Sequence, residues 1–255
     1  MNTSSIHFFS SRIDCLTSAG TVTLIERRVD ANEFTQHSVI NVAKIVNMQR
    51  DEQLASSVNA CDIVNADGMG VVWGARLLGH DIPERVTGID LFDALLTMSA
   101  RRGFPVFLLG ARDDVVARVA EVVSSRYPNL VIAGYHHGYF WDDEEAMVDT
   151  IRSSGAKLLF VAVTSPHKEN FINRWKDELG VDFVMGVGGT FDVIAGKVRR
   201  APRWMQRAGL EWLFRVLQEP RRMWKRYWVT NRRFAWMLLR ARIDMWRRRA
   251  KSGNT

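Results

Sequence analysis

The sequence has few cysteines, no long apolar run and no leader-like start, and each absence narrows what the protein can be. Two cysteines, Cys15 and Cys61, cannot cross-link a chain of 255 residues, so we expect free thiols in a reducing compartment. No run of about 18 apolar residues occurs, so no transmembrane helix is expected. The segment Met1 to Phe9 lacks a basic start and a sustained apolar core, which predicts a cytoplasmic protein without a signal peptide.

Charge is unevenly distributed along a chain of otherwise ordinary composition. From Lys197 to Lys251 there are 18 basic residues against three acids, whereas the remainder holds 17 basic and 25 acidic residues. The body therefore carries a net charge of −8 and the tail one of +15. This asymmetry predicts an anionic partner for the tail, which is anionic lipid, a polyphosphate-bearing ligand or nucleic acid.

Short β-prone runs alternate with helical patterns through most of the chain. Strands are predicted at Val39 to Val42, Pro105 to Leu109, Leu158 to Val163 and Phe183 to Val187, and helices at Gly88 to Arg102 and Asp113 to Arg126. The alternation predicts an α/β fold, with a Rossmann-like, largely parallel sheet and helices on both faces. Ligands of such sheets bind beyond the carboxyl ends of the strands, so segments that follow strands are candidate sites.

The character of the sequence changes near Lys197. The remainder is rich in arginine and holds six of the nine tryptophans, and Pro202 and Pro220 divide it. We predict an α/β core over residues 1–196 and a basic, Trp-rich helical appendage over residues 197–255, which lies on the core, on a membrane or on both. The alternative is a basic face that is merely solvated.

The first candidate site is the run Asn65-Ala66-Asp67-Gly68-Met69-Gly70, at the end of a predicted strand. Its glycines allow a ligand to approach the backbone closely. The carboxylate of Asp67 is placed to remove a proton from an attacking hydroxyl as general base. The alternative is that Asp67 only caps the following helix.

Two further loops carry groups suited to anions. Arg85, in Arg85-Val86-Thr87-Gly88-Ile89-Asp90, precedes a predicted helix and is placed to meet a phosphate. The alternative is a solvated loop arginine. The loop Thr164-Ser165-Pro166-His167-Lys168-Glu169 combines hydroxyls, a cation and a carboxylate at a helix start, where anions are attracted.

A glycine-rich turn, Gly186-Val187-Gly188-Gly189-Thr190-Phe191-Asp192, follows the last predicted strand. The backbone N–H groups of such a turn can hold a phosphate. The run is neither a dinucleotide fingerprint nor a P-loop, so a dinucleotide cofactor is not expected. In the tail, arginines repeat beside aromatic residues, which suits a pyrophosphate or an interfacial helix.

Together and in this order, these segments resemble the WecG/TagA/CpsF group, glycosyltransferase family 26, over roughly residues 35 to 228. The most specific pieces are Asp67-Gly68-Met69-Gly70, Arg85 to Asp90, Gly188 to Asp192 with Gly196, and Arg200-Ala201-Pro202 leading to Gly209-Leu210-Glu211-Trp212. The resemblance implies a UDP-sugar donor, an acceptor sugar on a lipid pyrophosphate, inversion at the anomeric carbon, and no metal or further cofactor.

The resemblance also implies roles for residues. Asp67 matches the general base, Arg85 a contact to a ligand phosphate, and the appendage a membrane-targeting part that completes the site with arginines. We expect UDP near Gly110, Tyr135 and Gly188 to Asp192, where strand ends meet glycine-rich turns. The residues expected to contact substrate are Asn41, Asn65, Gly68, Arg85, Gly110, Tyr135, Ser165, Lys168, Glu169, Gly188, Gly189, Asp192, Arg200, Arg203, Arg215, Arg221 and Arg222.

Two positions depart from the pattern of many relatives. Val39 stands where they have threonine, two residues before Asn41, and Lys168 stands where they have glutamine in Pro-x-Gln-Glu. The resemblance therefore does not imply a particular sugar, and exopolysaccharide or other cell-surface polysaccharide assembly is equally compatible with it. The expected partners are the UDP-sugar, a polyprenyl-pyrophosphate-linked acceptor and the anionic inner face of the cell membrane, with a homo-oligomer left open.

Two other functions compete with this one. A nucleic-acid-binding module would use the basic tail, but the tail contains no known nucleic-acid-binding motif. A nucleotide-sugar-modifying enzyme without a lipid acceptor, such as an epimerase, would need the dinucleotide fingerprint that the sequence lacks.

Overall fold

A computed structural model describes residues 4–252 of the chain, without the side chains of residues 222, 226 and 249–252. Eight strands occur in the described residues: β1 (Ser5–Phe8), β2 (Ser11–Asp14), β3 (Thr35–Ile40), β4 (Ile63–Ala66), β5 (Val106–Gly110), β6 (Ile132–His136), β7 (Leu158–Ala162) and β8 (Phe183–Gly186). Strands β3 to β8 form one sheet in the order β4-β3-β8-β7-β5-β6, in which every pairing is parallel, and β1 and β2 form an antiparallel hairpin.

Twelve helices occur in the same range. They are α1 (Ser18–Asp30), α2 (Val42–Met48), α3 (Glu52–Asn59), α4 (Met69–Leu77), α5 (Gly88–Arg102), α6 (Asp113–Arg126), α7 (Glu144–Ser153), α8 (His167–Trp175), α9 (Thr190–Ile194), α10 (Arg203–Arg207), α11 (Glu211–Gln218) and α12 (Pro220–Ser252). Helices α5 and α6 have the predicted bounds. Thr87 caps α5 through its side chain, and Gly103 ends it in the left-handed conformation, which few other residues adopt.

Apolar side chains cover both faces of the parallel sheet. On one face, Phe92 of α5 meets Phe160 of β7 edge to face, with ring centroids 4.7 Å apart. On the other face, Phe107 of β5 and Phe171 of α8 belong to a separate buried cluster. Strands β5 and β7 are buried along their whole length, because helices lie on both sides of them. The predicted α/β, Rossmann-like fold is confirmed.

The first third of the chain was poorly predicted from sequence. The hairpin and α1 were missed, and a strand was expected at Val39 to Val42, whereas β3 is Thr35–Ile40 and Asn41 caps α2. Strand β3 lies between β4 and β8, yet its buried residues include Gln36, His37 and Ser38. Polar residues interrupt the continuous apolar run by which a central strand is recognised in a sequence.

The basic tail packs against the core through one face of α12. Phe234 is buried in a cluster with Phe8 and Val71. Gly74 of α4 allows this contact, because a Cβ at that position would lie 2.9 Å from the Phe234 ring. Helix α12 is thus partly a core element, while the division of the chain at residue 196 stays a prediction.

Replacing Phe234 by alanine is expected to lower the free energy of unfolding by about 3 kcal/mol, the range found when a buried phenylalanine leaves a cavity. Urea denaturation followed by circular dichroism measures the loss. Trp236→Ala is the matched control, because Trp236 lies on the same helix with 66% of its surface exposed and should change stability by less than about 0.5 kcal/mol. Equal effects of the two substitutions would refute the docking of α12.

Candidate active site

Asp67 lies at the carboxyl edge of the sheet, directly after β4. Its backbone N–H donates to the carbonyl of Ile40 at 2.7 Å, and the N–H of Val86 donates to the carbonyl of Ala66 at 2.9 Å. These bonds connect the end of β4 to the end of β3 and to the loop before α5. Gly68 follows with φ of 102°, a conformation that glycine adopts readily, so the chain turns sharply and Asp67 stays at the edge.

The side chain of Asp67 does not cap the helix that follows it. Gly68 occupies the N-cap position of α4, and no side chain makes the capping hydrogen bond. The carboxylate of Asp67 instead accepts a hydrogen bond from the backbone N–H of Gly88, at the start of α5. The capping interpretation is therefore wrong, and the carboxylate faces the space between α4, α5 and α11.

Burial raises the pKa of Asp67 from its usual 3.8 to about 6. The guanidinium groups of Arg215 and Arg85 and the N–H of Gly88 act in the opposite direction, and the carboxylate of Glu211 adds to the rise. A carboxylate with a pKa near 6 is mostly ionised at neutral pH and is a stronger base than an exposed aspartate. Both properties suit a general base.

Arg85 is held beside Asp67 by an ion pair with the appendage. Its Nη1 donates to Oε2 of Glu211 at 2.8 Å, and 15% of its side chain is exposed. Arg200 contacts the same Glu211 at 3.8 Å and Asp90 at 2.6 Å. Arg85 is thus not a solvated loop arginine. It belongs to a network that joins the start of α5 to the segment between α9 and α11.

The segment around α10 and α11 forms a wall of the site. Gly209, between these helices, has φ of 71°, and a Cβ there would lie 2.7 Å from Met69 of α4, so only glycine allows this close approach. A small cleft results between α5, α9 and α11. Its lining residues are Ile89, Val193, Arg199, Arg200, Ala201, Glu211 and Arg215. Two of these, Glu211 and Arg215, also act on the pKa of Asp67.

The residues expected to bind UDP lie at the same edge, in the other half of the sheet. Gly110 ends β5 with its Cα against Ala162 of β7, and Tyr135 on β6 is half exposed. Gly188 and Gly189 follow β8, and a Cβ on either would meet nothing within 4 Å. Asp192 lies in α9, within electrostatic range of Arg112. The structure therefore brings these residues to one edge of the sheet, near the ends of β5, β6 and β8, and their contact with UDP stays a prediction.

Sequence reasoning missed two residues in this half of the edge. They are Arg112 and the exposed Tyr139, and Arg112 lies within electrostatic range of both Tyr139 and Asp192. Tyr139 follows Gly138, whose N–H donates to the carbonyl of Ala111 at 2.8 Å, so the loops after β5 and β6 are joined. The glycine directly before an aromatic residue in the loop after a strand was the available signal.

Asn41 and Asn65 have structural partners. The side chain of Asn41 caps α2 by accepting from the N–H of Lys44. Asn65 is buried, and its Oδ1 accepts from Thr21 Oγ1 at 3.3 Å and lies 2.9 Å from Nε2 of His37. Burial lowers the pKa of His37 to about 4, so this ring is neutral at neutral pH. Substrate contact by either asparagine stays a prediction.

The loop before α8 differs from the expected arrangement. Ser165 is exposed, as a ligand contact requires, but Lys168 and Glu169 are buried. The carboxylate of Glu169 lies 2.8 Å from the ammonium groups of both Lys44 and Lys168. Although burial opposes it, these two cations hold the pKa of Glu169 well below its usual range. Lys168 and Glu169 therefore take part in an internal ion cluster, and their contact with substrate stays a prediction.

The remaining arginines differ in position. Arg203 and Arg221 are exposed, and the side chain of Arg222 lies outside the described part of the structure. Within residues 4–252, no three histidine, cysteine or acidic side chains cluster as they would around a metal ion. In the same range, no helix combines the length and the apolar character needed to cross a bilayer.

Comparison with known proteins gives a consistent family match. A model described as "Glycosyl transferase WecG/TagA/CpsF family" matches residues 6–248. Two similar proteins are both named N-acetylglucosaminyldiphosphoundecaprenol N-acetyl-beta-D-mannosaminyltransferase. The one from Bacillus subtilis is 36% identical over 202 residues, covering 79% of this chain and 77% of its own length. The one from Bacillus spizizenii is 33% identical over 221 residues, covering 87% of this chain and 84% of its own length.

Proposed function

The chain belongs to the WecG/TagA/CpsF family of glycosyl transferases, and from this premise we propose that it moves one sugar from a UDP-sugar to a saccharide carried on a lipid pyrophosphate, with inversion at the anomeric carbon. The observation that carries the proposal is Asp67, a carboxylate with a pKa of about 6 beside Arg85, Arg215 and Glu211. A base and a group of arginines in one place suit a hydroxyl nucleophile on a diphosphate-bearing acceptor.

The reaction is a single displacement. The carboxylate of Asp67 takes the proton from the acceptor hydroxyl as its oxygen attacks the anomeric carbon of the donor sugar. The bond between that carbon and the UDP oxygen breaks, and UDP leaves with the bonding electrons. Attack from the face opposite the leaving group inverts the anomeric centre. Because the base must be ionised to accept the proton, the pKa of Asp67 sets the acid limit of activity.

UDP is proposed to lie over the ends of β5, β6 and β8. Gly188 and Gly189 leave the backbone there accessible, and the negative charge on departing UDP is to be balanced by arginines and backbone N–H groups. Transfer is therefore expected to continue after the protein is treated with a metal chelator. A rate that falls with chelator and returns with added Mg²⁺ or Mn²⁺ would contradict this part of the proposal.

The pyrophosphate of the acceptor is proposed to meet the arginines of the appendage. Arg200 and Arg215 line the cleft next to Asp67, and Arg203, Arg221 and Arg222 follow in the same segment. An acceptor bound there would present its sugar hydroxyl to Asp67 and direct its lipid chain toward α12. Paired arginines suit this task, because their planar groups bind two phosphate oxygens at once.

Helix α12 is proposed to lie on the anionic inner face of the cell membrane. The face opposite Phe234 carries exposed apolar side chains, namely Trp224, Trp228, Trp236, Leu239, Ile243 and Trp246. Trp224 and Trp228 stack with ring centroids 5.7 Å apart. Tryptophan prefers the headgroup level of a bilayer, and neighbouring arginines are attracted to anionic lipid. One face of α12 would then pack against the core, and the opposite face would contact the lipid.

The pathway is proposed to be the assembly of an exopolysaccharide or another cell-surface polysaccharide. The two similar Bacillus proteins are named for the transfer of N-acetylmannosamine to a lipid-diphosphate-linked N-acetylglucosamine. Val39 and Lys168 replace the residues usual in the family, so a different donor sugar, including glucose, is compatible with the site. The family match favours neither a nucleic-acid-binding module nor an epimerase.

The proposal is tested by a donor screen. Full-length protein is incubated with UDP-N-acetylmannosamine, UDP-N-acetylglucosamine or UDP-glucose and a short-chain lipid-pyrophosphate N-acetylglucosamine, and the products are followed by mass spectrometry. We expect one donor to yield a product heavier by one sugar residue, with release of UDP. UDP release without transfer to any lipid-linked acceptor across a wider donor panel would refute the lipid-linked reaction.

A further inference from the structure

Glu211 is a carboxylate that two arginines of the site, Arg85 and Arg200, both contact. It is one of only three acids between Lys197 and Lys251. Its Oε2 lies 2.8 Å from Nη1 of Arg85 and its Oε1 lies 3.8 Å from Nε of Arg200. The side chain of Glu211 is 24% exposed, and that of Arg85 is 15% exposed. An acid in this position separates two cations that would otherwise repel each other.

The ion pairs of Glu211 continue to the catalytic end of α5. Arg200 also contacts Asp90 at 2.6 Å, and Asp90 accepts a hydrogen bond from the Thr87 hydroxyl at 2.5 Å. Gly88, between Thr87 and Asp90 in the sequence, donates its N–H to Asp67. The first turn of α11 is thus connected through Arg200 to the segment that orients the proposed base.

We propose that Glu211 is a positioning residue: its carboxylate holds Arg85 and Arg200 apart and facing the diphosphate of the substrate, and keeps Arg85 from pairing with Asp67. This inference rests on the proposed function. Arginine has five N–H donors, and Glu211 occupies one nitrogen of Arg85. Arg85 can therefore contact Glu211 and a phosphate together. Without Glu211, Arg85 would still lie within electrostatic range of the Asp67 carboxylate.

The electrostatic surroundings of Asp67 give this arrangement a measurable signature. The groups that face it are Arg215 and Glu211 from α11, Arg85 from the loop before α5, and the N–H of Gly88. Neutralising Glu211 removes the one anion in this set and releases Arg85 toward Asp67. Both changes favour the ionised form, so the pKa of Asp67 should fall by about one unit.

The first experiment measures that titration without any substrate. Full-length protein carrying [4-¹³C]aspartate is titrated by NMR, and the Asp67 signal is assigned by its absence in Asp67→Asn. We expect a lower Asp67 pKa in Glu211→Gln and a smaller decrease in Glu211→Asp, which keeps the negative charge but reaches less far. Glu144→Gln is the matched control, because Glu144 also pairs with an arginine, Arg174 at 2.9 Å, with 18% of its side chain exposed. An unchanged Asp67 pKa in Glu211→Gln would overturn the proposal.

The second experiment measures the binding of inorganic diphosphate by isothermal titration calorimetry at neutral pH. Loss of a negative charge alone would tighten the binding of an anion, whereas loss of arginine positioning weakens it. We expect about tenfold weaker binding in both Glu211→Gln and Glu211→Asp. Glutamine lacks the charge that pairs with the arginines, and the shorter aspartate cannot reach both of them. Equal or tighter binding would overturn the proposal. If Glu211→Gln does not fold, Glu211→Asp decides by the same criterion.

The two experiments separate this inference from the proposed function. A protein that transfers no sugar to any lipid-linked acceptor would refute the reaction, while the NMR titration would still report whether Glu211 acts on Asp67. A protein that transfers sugar normally but whose Glu211→Gln variant keeps both the Asp67 pKa and the affinity for diphosphate would refute the role of Glu211 alone.

Discussion

Asp67→Asn is expected to lower the rate of sugar transfer by about 10²–10⁴-fold, the loss typical when a general base is removed. Asparagine has nearly the shape of aspartate and can still accept the hydrogen bond from Gly88, but it cannot take a proton. The measurement is the initial rate of product formation with the donor identified by the screen. Asp93→Asn, which removes an exposed carboxylate on α5, should keep the normal rate.

The same substitution is expected to stabilise the fold. Because burial raises the pKa of Asp67 from 3.8 to about 6, the folded state holds this proton more tightly than the unfolded state does. Stability contributed by the protonated group is fully present below pH of about 4 and is lost as the pH rises through about 6. Above that pH, Asp67→Asn should therefore unfold at a higher urea concentration than the unmodified protein. The gain in the free energy of unfolding is at most about 3 kcal/mol.

The pH dependence of the enzyme provides a second measurement of Asp67. Activity should fall on the acid side with a midpoint near pH of about 6, as the base becomes protonated. The residual activity of Asp67→Asn should lack this limb. A variant that turns over at nearly the normal rate while remaining folded would show that another group is the base.

Neutralising three arginines at the end of α12 is expected to weaken binding to anionic vesicles by about 100-fold. Arg240, Arg247 and Arg248 are exposed, and a basic residue near an anionic membrane contributes about 1 kcal/mol. Their replacement by glutamine therefore removes about 3 kcal/mol, where 1.4 kcal/mol corresponds to a factor of ten. Co-sedimentation with phosphatidylglycerol-containing vesicles measures the affinity. Transfer to a water-soluble, short-chain acceptor should change little.

The control removes the same charge from another surface. Arg101, Arg118 and Arg126 are exposed on α5 and α6, and their replacement by glutamine should leave vesicle binding nearly unchanged. Equal losses in the two triple variants would mean that net charge, rather than the orientation of α12, drives the association. A chain cut after Leu239 should likewise keep Phe234 in the core and mainly lose membrane affinity.

Local sequence patterns were sufficient for much of the fold. Helices α5 and α6 were predicted with the bounds that the structure has, because an acidic first turn and a glycine or proline after the last turn are signals within a few residues. Strands β5 and β7 were recognised from uninterrupted apolar runs. Strand β3 was misplaced, since its buried polar residues are accommodated by partners distant in sequence, such as Asn65 for His37.

The candidate site, like the fold, was predicted only in part from the sequence. Asp67, Arg85 and the glycine-rich turn after β8 could be selected from the sequence, because residues that follow parallel strands meet at one edge. The sequence alone also determined that a basic, Trp-rich segment follows residue 196. It could not assign Lys168 and Glu169 to an internal ion cluster, because the direction of a side chain at a helix start depends on what packs against that helix.

Only the tertiary structure decided how the tail relates to the core. The pairing of Glu211 with Arg85 joins residues 126 positions apart. The contact of Phe234 with Gly74 joins α12 to α4, and nothing in either helix sequence indicates that the two helices pack together. The pKa of Asp67 likewise depends on burial and on charges from α11. Contacts of this kind arise from the packing of complete elements, so a sequence determines which residues are available for them and the fold determines which of them meet.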